Sequence, residues 1–184
     1  MRGELVLRDG LRPPQDERGL LVARQAEQWI DVPFVWQGRI RSGCDCKGLL
    51  AGIAAELGYP EADRIEALCG DYGYKVPTAR LREGLRAVFD RVAIADRQPG
   101  DVLLCVVGGK PQHLAICAPQ PGRAERVIEA LELAGKVRPF RRGAGVIDSV
   151  WRWKESCLPP SAEGSDRADV RPAGSMPPDR DEPC

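Results

Sequence analysis

The apolar residues of this chain change period part-way along, and that change limits the folds open to it. Up to about residue 92 they recur every three or four positions; from Asp101 onward they come in short, partly alternating runs bounded by Gly and Pro. "LLVARQAEQWI" (20–30) sets Leu21, Val22, Gln25, Ala26 and Trp29 on one stripe, with Leu20 and Ile30 beside it, and predicts a helix. The following "DVPFVWQGRIRSG" (31–43) reads as a loop because of Pro33, Gly38 and Gly43. In 46–57, Cys46, Leu49, Leu50, Ile53, Ala54 and Leu57 form one apolar helical face. Asp45 is its N-cap, and Gly58 with Pro60 stops it. A further amphipathic segment, "TARLREGLRAVFDRV" (78–92), has Thr78 as a candidate cap. "DVLLCVV", "QHLAICA", "RVIEALEL" and "AGVIDSVWRW" then read as antiparallel strands. Helices first and strands second predict an α+β fold, N-terminal helices packed on an antiparallel β-sheet, rather than alternating βαβ units.

One domain, residues 19–155, accounts for these patterns. Residues 1–18 are polar, with Pro13 and Pro14, and read as an extended arm; 156–184 form a Pro-rich tail expected to be extended or disordered. Lys plus Arg and Asp plus Glu each total 27, and this zero net charge argues against nucleic-acid binding. No apolar run approaches the roughly 18 residues of a membrane span. The first 19 residues lack the apolar stretch of a secretory signal, so the expectation is a protein made in the cytosol that leaves it, if at all, by another route.

Seven cysteines, an odd number, in a chain of 184 residues without an export signal are expected to be reduced. Cys105 and Cys117 lie inside apolar runs and read as small buried hydrophobes, while Cys69, Cys157 and Cys184 carry no readable signal. Cys44 and Cys46 are different. Their C-x-C spacing is not the C-x2-4-C of a zinc site, and no second cysteine pair accompanies it, so no metal or cofactor is expected. Cys46 opens the second helix, where free backbone N–H groups and the helix dipole favour a thiolate; Cys44 lies outside it. A cysteine nucleophile needs a base, and His113 in "PQHLAICAP" is the only histidine in the protein. It starts a strand that follows an expected hairpin through Gly108 and Gly109.

"FVWQGRIRSGCDCKGLLAGIAAELG" followed by "RQPGDVLLCVVGGKPQHLAICA" resembles the NlpC/p60 family of papain-like cysteine peptidases, most of all the branch carried in phage tails and gene transfer agents. The likeness covers roughly residues 20–150. The family's D-C-x-G-L block falls on Asp45, Cys46, Gly48 and Leu49, and its PGD…H-x-A-I block on Pro99, Gly100, Asp101, His113, Ala115 and Ile116. The resemblance implies the papain-like NlpC/p60 fold and a Cys-His-polar triad. Its third member would be Glu129, where relatives often carry His, Asn or Gln; otherwise Glu129 is an outward-facing strand residue, as expected of Glu125 and Glu132. The resemblance also implies a substrate site around Phe34, Trp36, Asp45 and Lys47. Phe34 stands where relatives often have a tyrosine, Gln37–Gly38 replaces a Gly-Gly, and Lys47 replaces a small residue. Lys47 either lowers the Cys46 pKa or is an ordinary solvated helix residue.

The implied activity is hydrolysis of bonds in the stem peptide of peptidoglycan. Without a signal peptide, such an enzyme needs a carrier, and a phage or phage-like tail tip supplies one. The expected partners are therefore the peptidoglycan peptide and the proteins of the tail hub, and the expected location is the virion tail tip. A rival expectation is a structural tail-tip component with a weak or inactive site; another is a cytosolic thiol acyltransferase or amidase of related fold.

Overall fold

The computed structural model describes residues 14–59, 62–68, 77–119 and 126–154. The expected strands fall on neighbouring parts of one sheet because each alternation of apolar residues finds a partner on either side. In chain order the helices and first strands are α1 (Pro14–Glu27), β1 (Arg39–Ile40), β2 (Gly43–Cys44), α2 (Cys46–Glu56), α3 (Ala62–Leu68) and α4 (Thr78–Val88). Then come β3 (Phe89–Val92), β4 (Val102–Val107), β5 (Lys110–Cys117), β6 (Arg126–Leu131), β7 (Lys136–Arg141) and β8 (Ile147–Trp153). Among the described residues, β3-β8-β4-β5-β6-β7 form one sheet in that order, antiparallel throughout. The expected α+β class holds.

Several boundaries differ from those expected, each for a local reason. Helix α1 starts at Pro14, which is tolerated there because the first N–H groups of a helix have no intrahelical acceptor. Residues 14–18 are thus helical rather than extended; residues 1–13 and the tail from 155 lie outside the described residues. The same helix stops at Glu27, before a turn in which Asp31 adopts φ +73°. The segment 78–92 is helical only to Val88 and then becomes β3, because Phe89 pairs with Trp153 in register and packs edge-on against its ring. Thr78 does not cap α4. It is the helix's first residue, and its hydroxyl donates to the Pro111 carbonyl at 3.0 Å, fastening α4 to β5. In 144–153 the first three residues form a 3-10 turn, with the strand from Ile147. Strand β7 escapes the sequence pattern because half of "KVRPFR" is charged and a proline interrupts it. It is an edge strand, where Lys, Arg and Pro discourage pairing with another chain.

Two layers of core position the site. One lies between the helices and the sheet and includes Trp29, Leu49, Ile53, Leu85, Leu104, Leu114 and Ile128. The other lies on the sheet's opposite face around Leu103, Cys105, Ala115 and Val127. Helix α2 is buried from Lys47 to Ala54, around its whole circumference. That depth requires glycine: a Cβ on Gly48 would lie 1.7 Å from the Gly38 carbonyl oxygen. The β4–β5 hairpin turns through Gly108 and Gly109 with φ +59° and +77°, the geometry of a two-residue type I′ turn.

Candidate active site

The site forms where the sheet opens. Strands β5 and β6 pair only at Ile116–Ile128 and Cys117–Val127, then part toward His113 on one strand and Leu131 on the other. The N-terminus of α2 lies against that opening. Pairing between β4 and β5 shifts by one residue after Cys105, so that His113 is opposite Cys105 and Gln112 is the extra residue. The result is a cleft of about 330 Å³ between α2, the hairpin and the 131–133 turn.

Asp45 fixes the helix end. Its backbone is extended (φ −102°, ψ −173°), and its Oδ1 accepts from the amides of Lys47 at 3.1 Å and Gly48 at 2.8 Å. Its Oδ2 accepts from the Gln37 amide at 3.0 Å, which ties the loop carrying Phe34 and Trp36 to the same cap. The cap uses the amides of Lys47 and Gly48 but not that of Cys46.

Cys46 is half-buried and lines the cleft together with His113, near enough to the imidazole to help hold its proton. The imidazole Nε2 in turn lies 2.8 Å from Glu129 Oε2, which leaves Nδ1 for the sulfur. Burial alone would lower the His113 pKa. The contacts with Cys46 and Glu129 outweigh it and raise the group from 6.5 to about 9. Glu129 is fully buried, so it is not the outward-facing residue of the alternative reading. Arg142, just beyond β7, closes on it from behind: Nη2 donates to Oε1 at 2.9 Å and Nε to Oε2 at 3.1 Å.

The structure gathers six of the expected site residues, Phe34, Trp36, Asp45, Cys46, Lys47 and His113, around one cleft. Glu129 stands behind His113, away from the cleft. Trp36 is exposed at the lip, whereas Lys47 is buried, which removes the solvated-residue reading. The cleft wall formed by Ala130, Leu131 and Leu133, and the Arg142 clamp, were not legible beforehand. "RPFRRG" marks neither of its last two arginines, and only the path of the chain after β7 selects Arg142. Cys44 is buried, with its thiol pushed up to about 12 mainly by burial and then by the neighbouring Asp45 carboxylate. It is not a second nucleophile.

No family model matches the chain, and no curated protein matches it. Solved structures do. The NlpC/p60 domain of the peptidoglycan hydrolase SagA superposes with a TM-score of 0.51 at 19% identity, over 72% of this chain and 97% of that one. NlpC2 from Trichomonas vaginalis gives 0.53 at 17% identity, over 80% of this chain, and NlpC1 from the same organism 0.51 at 12%, over 78%. The match spans about half of each Trichomonas chain, 49% and 46%. At such identities the likeness is one of fold. The fold is the papain-like NlpC/p60 fold expected from the two motif blocks.

Proposed function

We propose that this protein is a cysteine peptidase that cleaves bonds in the stem peptide of peptidoglycan. The observation that carries the reading is the Cys46–His113–Glu129 arrangement, with Cys46 and His113 in the cleft wall and Glu129 bonded to the imidazole from behind. With the imidazole protonated, the cation beside the sulfur favours the thiolate, and Glu129 accepts from Nε2 and holds the ring in place. The thiolate attacks the peptide carbonyl carbon, and the oxygen gains negative charge. The Cys46 amide, left over by the Asp45 cap, supplies a donor for that oxyanion. The C–N bond then breaks as His113 gives its proton to the leaving amine. Neutral His113 next takes a proton from water, whose oxygen attacks the thioester and releases the acid and the thiolate. Phe34, Trp36 and Lys47 contact the peptide from the cleft walls, and Asp45 acts through the helix cap.

Peptidoglycan as the substrate is supported by the motif likeness and by the superposition on the domain of a peptidoglycan hydrolase. The tail tip of a phage or phage-like particle, with its hub proteins as partners, is the proposed setting, on the strength of the motif blocks' resemblance to the branch carried in phage tails and gene transfer agents. Cys46→Ala should abolish clearing of purified peptidoglycan by at least about 10³-fold while the circular dichroism spectrum and unfolding midpoint stay close to wild type. Equal clearing by both proteins would remove Cys46 from the chemistry, and no clearing by either would leave the structural tail-tip role.

A further inference from the structure

Glu129 is an unusual group to bury completely. A carboxylate taken from water into a protein interior costs several kcal/mol unless it is paired and its oxygens are hydrogen-bonded. Here both oxygens are used. Arg142 presents a fork, Nε and Nη2, to Oε2 at 3.1 and 3.0 Å, and Nη2 also reaches Oε1 at 2.9 Å. His113 approaches Oε2 from the other side at 2.8 Å. The guanidinium side chain is four-fifths shielded from solvent, so the pairing is screened little.

We propose that Arg142 is a positioning residue of this site: its guanidinium fork holds Glu129 in place and oriented, so that Glu129 can act as the acceptor behind His113. The site then reads as a relay of four groups with alternating charge, thiolate, imidazolium, carboxylate and guanidinium, whose charges sum to zero. The inference rests on the peptidase reading for its chemical purpose, though not for its test. The charged and titratable groups facing the pair are Cys46 from α2, Cys105 from β4 and Arg142 from the segment after β7. Arg138, opposite Glu129 in register on β7, is exposed. Arg142 is therefore the cation that contacts the carboxylate directly.

Without that fork, nothing holds Glu129 in line with the imidazole. A displaced carboxylate stabilises the imidazolium far less, and His113 releases its proton at lower pH. Because His113 is the only histidine, its imidazole 15N signals can be followed by NMR titration without ambiguity. Arg142→Gln should lower its midpoint by about one pH unit or more, whereas Arg142→Lys, which keeps the charge but not the fork, should shift it by less than about half of that. In a Glu129→Gln background, Arg142→Gln should cause no further change, since Arg142 acts through Glu129. That double variant also lacks the buried carboxylate, so it carries the test if Arg142→Gln alone does not fold. An unchanged or raised midpoint in folded Arg142→Gln, or an added shift of more than about 0.5 units in the Glu129→Gln background, would overturn the proposal. Slow alkylation of Cys46 in the wild-type protein would instead count against the peptidase reading and leave the His113 titration interpretable.

Discussion

His113 concentrates the site's response to pH in one ring. Burial works against its proton, and the sulfur of Cys46 and the carboxylate of Glu129 hold it, with the balance lifting the group to about 9. A histidine raised above its unfolded value of 6.5 adds stability that is complete below about 6.5 and is lost as pH climbs through about 9. The gap in urea midpoint between wild type and His113→Gln should therefore be widest near pH 6 and narrow steadily toward pH 10. Cleavage should follow the same ionisation, because the proton handed to the leaving amine is the one lost. Its alkaline limb should have a midpoint near 9, and a limb near 6.5 would show that neither neighbour stabilises the imidazolium.

Helix α2 carries most of what the sequence displayed, and its residues show why some features were readable and others not. In "DCKGL", Asp45 and Gly48 look like parts of a catalytic motif, yet their direct work is structural. One accepts three backbone amides, and the other lets the helix lie against the 38–39 backbone. Gly48→Ala should cost about 3 kcal/mol in urea unfolding, because the methyl group would meet a carbonyl oxygen rather than a side chain that can swing away. Gly145→Ala, with nothing within 4 Å of the added carbon, should change stability by about 0.5 kcal/mol or less. Such local demands leave marks in sequence: a cap residue, a glycine, a two-glycine hairpin. Demands set by distant chain paths do not. The Phe89 turn from helix to strand follows from β8, which lies about sixty residues on, and Arg142 rather than Arg141 reaches Glu129 because of the path the chain takes beyond β7. Lys47 was ambiguous for the same reason, since burial at the first turn of α2 depends on what the loop and the hairpin bring over it.

At the scale of the molecule, the nucleophile and its base come from different layers. Cys46 belongs to the helical layer and His113 to the sheet, 67 residues later, and they meet only because β5 and β6 separate at the point where α2 arrives. Reactivity of Cys46 is thus a property of the assembled fold, and the other three thiols among the described residues report the same assembly in reverse. Cys44, Cys105 and Cys117 are buried, each with its thiol pushed up to about 12 chiefly by burial. At pH 7 the folded protein should therefore alkylate with iodoacetamide at Cys46 at least about a hundredfold faster than at those three, since the thiolate is the reacting form and access is blocked as well. In increasing urea the two behaviours should converge at a single midpoint, Cys46 slowing as it loses His113 and the other three quickening as they reach water and an ordinary pKa. Peptide mapping by mass spectrometry across the unfolding transition measures all four at once. Loss of Cys46 reactivity well before the buried cysteines open would mean that the helical layer separates from the sheet as its own unit, and that the site depends on a contact weaker than the core beneath it.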